Sequence, residues 1–175
     1  MLRRLTNLLF ILLSLLLILP SCSKKASSEQ PIMIGFSCNI EAKYDEMNIK
    51  GYLTRSAAGT LRFDIDEPET LNGLSMQWDG NEISIKLNGI SFNVEPDNIP
   101  QSALGKCILG ALDSALGVRD AGELTDEGLL TKGVSSAGEF EIISDPATGS
   151  LLNLKMPSVK LEAKFSDFKL ILNPF

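Results

Sequence analysis

Histidine, the side chain that most often serves as general base and transition-metal ligand, is absent from this chain of 175 residues. Ser-His-Asp and Cys-His catalysis are therefore excluded. A serine–lysine pair would need Ser-x-x-Lys exposed at a strand-to-helix turn, and none is so placed. Gly105 and Gly110 fall inside a helical pattern with no Gly-Lys-Ser/Thr after them, so they do not form a phosphate-cradling loop. Asp64, Asp66 and Glu67 are the one tight carboxylate group, but Asp64 and Asp66 are outward residues of an alternating strand. No turn glycine follows them to wrap Ca²⁺, so they read as a solvated face. Asp113, Asp120, Glu123, Asp126 and Glu127 read likewise as a wet acidic rim. Of the three cysteines, Cys38 is an inward strand residue and Cys107 lies on the apolar stripe of a helix. They could meet across a helix–sheet interface, as a disulfide or as two free thiols acting as small hydrophobes. Neither has a basic neighbour placed to activate it. The residues point to no catalysis, no metal and no cofactor.

Cys22 is different, because of what precedes it. Arg3 and Arg4 open the chain, Leu8 to Leu19 is apolar but for Ser14, and Leu19-Pro20-Ser21-Cys22 follows. An apolar run of that length is short for a bilayer span of roughly 20 residues but suits a signal peptide. The four residues at its end resemble the cleavage box of bacterial lipoproteins. That resemblance implies a signal peptide at 1–21 and a covalent lipid on Cys22, holding the protein on the extracytoplasmic face of the cell membrane. Ser23 to Gln30 is small and polar, so 22–30 reads as the lipidated N-terminus and its flexible tether. Without the two arginines of the leader, 14 basic and 22 acidic side chains remain, a net charge of −8. That balance lacks the electrostatic footprint of a nucleic-acid partner.

Residues 31–175 read as one domain, long enough to bury roughly 70% of its unfolded-chain surface without staples. From Ile32 the hydrophobic period is two: Ile32, Ile34, Phe36, Cys38, Ile40 and Ala42 on one side, polar residues on the other. The same alternation predicts strands with Met47, Ile49, Gly51 and Leu53 inward, then Leu61, Phe63 and Ile65 inward until Pro68. Asp79-Gly80 and Asn88-Gly89 are hairpin signals. As two-residue turns they set Met76 opposite Ile83 and Leu74 opposite Ile85, then Leu87, Ile85 and Ile83 opposite Ile90, Phe92 and Val94. Period 3.6 takes over with Ala103, Leu104, Cys107, Ile108, Ala111, Leu112 and Ala115 on one stripe. Asp97 or Asn98 is the expected cap, Pro100 lies in the first turn and Gly117 is the stop. Residues 117 to 138 read as a loose glycine-rich connection with one short strand near Leu129-Leu130. Strands resume through Phe140 and Ile142, Leu152 to Met156, and Val159 to Phe165, the last continuing through Phe168, Leu170 and Leu172.

The sum is an α+β fold: roughly ten antiparallel strands, wet on one side, curling into a half-barrel with one main helix on the concave face. This order of elements behind a lipidated N-terminus resembles the Lol-type lipoprotein carriers of the periplasm and cell surface, and their mycobacterial relatives that ferry acylated glycolipids. Gly51-Tyr52-Leu53-Thr54-Arg55, Leu74 to Gly80 and Phe165-Ser166-Asp167-Phe168 are similar to stretches of uncharacterised lipoproteins of one-membrane bacteria. The resemblance implies a hydrophobic ligand held without chemistry between sheet and helix, with the helix or residues 117 to 138 as lid. Phe36, Ile49, Phe63, Trp78, Phe92, Leu104, Ile108, Leu112, Phe140 and Phe165 would line such a pocket. The alternative is an envelope interaction module with a solid core.

Overall fold

The period-two runs become strands. The computed structural model describes residues 32–117 and 122–171. Its strands are β1 (Phe36–Tyr44), β2 (Met47–Arg55), β3 (Leu61–Glu67), β4 (Ser75–Trp78), β5 (Ile83–Leu87), β6 (Ile90–Val94), β7 (Glu123–Thr125), β8 (Gly128–Ser135), β9 (Gly138–Ser144), β10 (Leu151–Met156) and β11 (Leu161–Leu170). One α-helix, α1 (Leu104–Gly117), separates β6 from β7. The expected signal peptide, Cys22, the expected tether and Leu172 lie outside the described residues.

All eleven strands join one curved, unclosed antiparallel sheet in the order β6-β5-β4-β3-β2-β1-β11-β10-β9-β8-β7. First and last strands pair at its centre, Ile40 opposite Phe165 and Ala42 opposite Ala163. The helix carries the chain across the open side, from the β6 edge to the β7 edge. Three register irregularities, at Ser37/Asn39, Lys50/Gly51 and Leu151/Asn153, bend the strands that carry them. Gly51 is required at its bulge, where a Cβ would lie 2.1 Å from the Asp64 carbonyl oxygen. No helix among the described residues is long and apolar enough to cross a membrane.

The inward alternation of β1, β2, β3, β9, β10 and β11 forms a single apolar cluster with the stripe Leu104, Cys107, Ile108, Ala111, Leu112 and Ala115 of α1. The structure departs from the sequence reading elsewhere. Residues 122–135 are not loose: β7 and β8 belong to the sheet, so eleven strands stand where about ten were expected. The short strand expected near Leu129-Leu130 is the start of β8; the glycines hid the rest of it and β7. Gly128 takes φ +137°, and a Cβ on Gly133 would strike the Phe140 ring, so small residues mark tight packing there.

The helix begins at Leu104 rather than after Asn98. Pro100 keeps Ile99 extended, at φ −101° and ψ 127°, and confines Pro96–Asn98 to a single 3₁₀ turn. Asn88-Gly89 closes a two-residue hairpin with both residues at positive φ, and Ile83, Ile85 and Leu87 face Val94, Phe92 and Ile90 as expected. Asp79-Gly80 does not form its two-residue turn. The Asp79 carboxylate accepts the backbone N–H groups of Asn81 and Glu82, both at 2.9 Å, and opens the loop to four residues. Trp78 therefore faces Ile83 and Met76 faces Ile85. A shift of two residues leaves the same side chains inward. Met47, at the strand end beside the β1–β2 turn, is 43% exposed and outside the core.

Candidate functional site

The seam between α1 and the sheet is built by close approach. A Cβ on Gly105 would lie 2.0 Å from the Trp78 ring, so glycine lets the helix backbone rest on the indole. The Tyr44 hydroxyl donates to the Ser102 carbonyl, tying the β1–β2 turn to the residues entering the helix. The Lys106 ammonium reaches back to the Pro96 and Ile99 carbonyls at 2.6 and 2.8 Å. On the far turn Arg55 spans sheet and helix: its guanidinium donates to the Ile34 carbonyl at 2.8 Å and to Asp113 Oδ1 at 2.7 Å. The Arg55 side chain is 5% exposed and that of Asp113 54%. Sequence reading missed this clamp, having placed Asp113 on a wet rim. The signal was available, since Arg55 continues the inward series Ile49, Gly51, Leu53.

Nine of the ten expected pocket residues meet in the core. Phe36, Phe63 and Ile108 are 0% exposed, Leu112 and Phe140 1%, Ile49 and Trp78 4%, Phe165 7% and Leu104 8%. No surface of the first three is open to a water molecule, so no ligand-sized space adjoins them. Phe92 is the exception. It points inward from β6, yet it is 49% exposed. Ile83 of β5 is still buried, but β6 runs past the part of the sheet that α1 covers, and among the described residues nothing lies over the inward side of Phe92 and Ile90. Met76, Ile85 and Phe92 form one apolar row across β4, β5 and β6, and Leu87 faces Ile90, which is 69% exposed. Met76 and Ile85 pack against the core on one side, so this uncovered wing is continuous with it.

The opposite, polar face of the sheet holds a groove of about 760 Å³. Its lining includes Ala42, Ile49, Leu154 and Ala163, whose side chains point into the core. They contribute backbone to a floor crossing β2, β1, β11 and β10. The walls are two rows of outward residues, Lys50, Glu41, Lys164 and Asn153 on one side and Asn48, Lys43, Glu162, Lys155 and Glu141 on the other. Cross-strand charge pairs run along them: Lys50–Glu67 at 3.4 Å, Lys155–Glu162 at 3.4 Å and Lys132–Glu141 at 2.7 Å. The hydrogen bond from Lys132 holds the Glu141 carboxyl below the usual range, and the same bond raises the Lys132 ammonium. Asp64 is bonded by Arg62 at 2.9 Å and Glu67 by Lys50, so these carboxylates already have cations. No three Asp, Glu or Cys side chains among the described residues are placed to hold a metal ion.

Cys38 and Cys107 are separate free thiols, both buried. Burial pushes the Cys38 thiol up to about 12 and raises that of Cys107, which donates to the Gln101 carbonyl at 3.5 Å. In both, burial favours the protonated thiol over the nucleophilic thiolate.

The fold and this surface define a class: a curved, unclosed antiparallel sheet with one main helix, uncovered at one wing among the described residues. No protein-family model matches the chain, and no curated protein matches it in sequence. Solved structures do match. One is an uncharacterized conserved protein from Thermus thermophilus, 14% identical, with a TM-score of 0.50 over 85% of this chain and 83% of that one. Another is a LolA superfamily protein from Nitrosomonas europaea, 10% identical, with a TM-score of 0.41 over 87% of this chain and 93% of that one.

Proposed function

We propose that this chain is an extracytoplasmic lipoprotein, held at the membrane by a lipid on Cys22, that takes an acyl ligand on the concave face of its sheet without chemistry. The observation that carries the reading is the uncovered wing. Met76, Ile85 and Phe92 continue the core outward across three strands, and Phe92 and Ile90 lie 49% and 69% exposed. An acyl chain laid along that row would bury apolar surface at roughly 25 cal/mol per Å². The ligand belongs on the wing rather than against Phe36, Phe63 and Ile108, where no surface is open. The lipoprotein-like leader would keep the wing near its source of acyl chains.

Native mass spectrometry of residues 23–175, with solvent extraction of whatever co-purifies, tests this. A bound lipid of defined mass, lost in Phe92→Ser with the melting temperature unchanged, is the expected result. A clean apo mass from gentle purification, together with no uptake from added fatty acid, overturns it. A second reading, an envelope interaction module with a solid core, is favoured by the zero exposure of Phe36, Phe63 and Ile108. It predicts the apo mass.

A further inference from the structure

An unclosed sheet has two edges, and this one treats them differently. At one end β7 is three residues long, begins with Glu123 and follows Gly122. A short, charged strand is a protected edge. At the other end β6 runs Ile90-Ser91-Phe92-Asn93-Val94, with no charge, no proline, no bulge against β5, and four of five residues exposed. Among the described residues no strand pairs with its outer side. Its outward N–H and C=O groups form an unguarded template for another strand.

We propose that β6 pairs antiparallel with β6 of a second copy of this chain, about a two-fold axis through Phe92. The pattern is symmetric about that residue. Phe92 then faces Phe92 of the second copy, Ile90 faces Val94 and Ser91 faces Asn93, so apolar meets apolar on one face and polar meets polar on the other. No like charges meet, although each copy is strongly acidic overall. The tether is a poor occupant by comparison, because Ser23 to Gln30 has no apolar alternation to match Ile90, Phe92 and Val94. Five residues of edge bury less than the ~800 Å² per partner of a standard stable interface, so the contact is weak and depends on local concentration. Anchoring in one membrane would supply that concentration. The inference rests on the anchor of the proposed function but not on its ligand. Strand pairing uses the backbone edge and leaves the apolar face of the wing open, now continuous across two copies.

The test is disulfide crosslinking of the full-length chain in intact cells. Directly opposed residues of an antiparallel pair have Cα atoms about 4.5–5.5 Å apart, within the reach of a disulfide. Phe92→Cys should therefore crosslink to itself under mild oxidation and run as a dimer that reductant dissolves. Ile90→Cys alone should not, since the two copies of position 90 stand four residues out of register, about 14 Å apart. Cells making Ile90→Cys and Val94→Cys chains together should give the dimer. Adding Ser91→Glu to Phe92→Cys should abolish it by placing like charges across the axis, with native thiol burial showing that the fold is kept. The unsubstituted chain is the control for Cys22, Cys38 and Cys107. A monomer with Phe92→Cys, or crosslinking at position 90 as efficient as at 92, overturns the proposal. Lipid capture is read separately, so either idea can fail without the other.

Discussion

Gly105 and Gly110 stand five residues apart on one helix and differ in what surrounds them. Each costs about 1 kcal/mol of helix propensity relative to alanine. A Cβ on Gly110 would meet Ser135 at an ordinary 3.6 Å, so Gly110→Ala should stabilise by several tenths of a kcal/mol in urea unfolding. A Cβ on Gly105 would overlap the Trp78 indole, which is buried and flanked by Leu61 and Ile83. Gly105→Ala should therefore destabilise by about 1–3 kcal/mol despite its better propensity. Opposite signs in one helix separate packing from propensity, and equal signs would place the Trp78 contact in doubt. Cys38 gives a second residue-scale prediction. Its thiol stands at about 12 when folded, against 9.0 for a free one, so the native state favours the protonated form. The stability this contributes is complete below pH 9 and falls as pH climbs from there toward 12. The slope is at most about 1.4 kcal/mol per pH unit. Melting temperatures from pH 8 to 11 should decline less steeply in Cys38→Ala than in the parent chain. Neither Cys38 nor Cys107 should react with a thiol reagent at pH 8 until the chain is unfolded.

Elements reveal themselves in sequence when one of their faces is wet. The strands around β1 were legible because Ile40 and Ala42 alternate with exposed Asn39, Glu41 and Lys43. The Asn88-Gly89 turn was legible because few sequences tolerate two successive positive φ values. By contrast β8 was legible only at Leu129-Leu130, and its length was not, because Gly128 and Gly133, which read as breakers, are there to admit Ser144 and Phe140. The start of α1 was displaced by the effect of Pro100 on its predecessor, and the four-residue loop after Trp78 by a carboxylate turning back onto its own backbone. Of the ten residues named for the pocket, nine lie buried in the core. What the alternation cannot say is how far one helix reaches, and that decides Phe92. The Arg55–Asp113 clamp ties the second half of α1 to the end of β2. Asp113→Ala leaves a buried guanidinium with only the Ile34 carbonyl, and should cost about 1–2 kcal/mol, since Asp113 is half-exposed and water can partly replace it. Hydrogen exchange should quicken in Leu109 to Leu116 more than in β1; uniform quickening would mean the clamp serves the whole fold.

At the scale of the molecule, the sheet has more apolar face than a single helix can cover. Eleven strands curl, α1 fills the hollow over the central ones, and the surplus is left at the β4–β6 wing. The two readings of function correspond to the two parts of that face. If the seam is filled, Ile108→Trp must overpack it, costing about 1–3 kcal/mol and lowering the melting temperature by several degrees. It should leave lipid capture at the wing intact wherever the variant is folded. Phe92→Ser should do the reverse, with little change in melting and a loss of captured lipid. Were Ile108→Trp instead to melt normally and lose its lipid, the ligand would lie under the helix, and α1 would have to move to admit it. The two variants together thus locate the ligand on the curved face, because packing and binding respond to different ends of the same sheet.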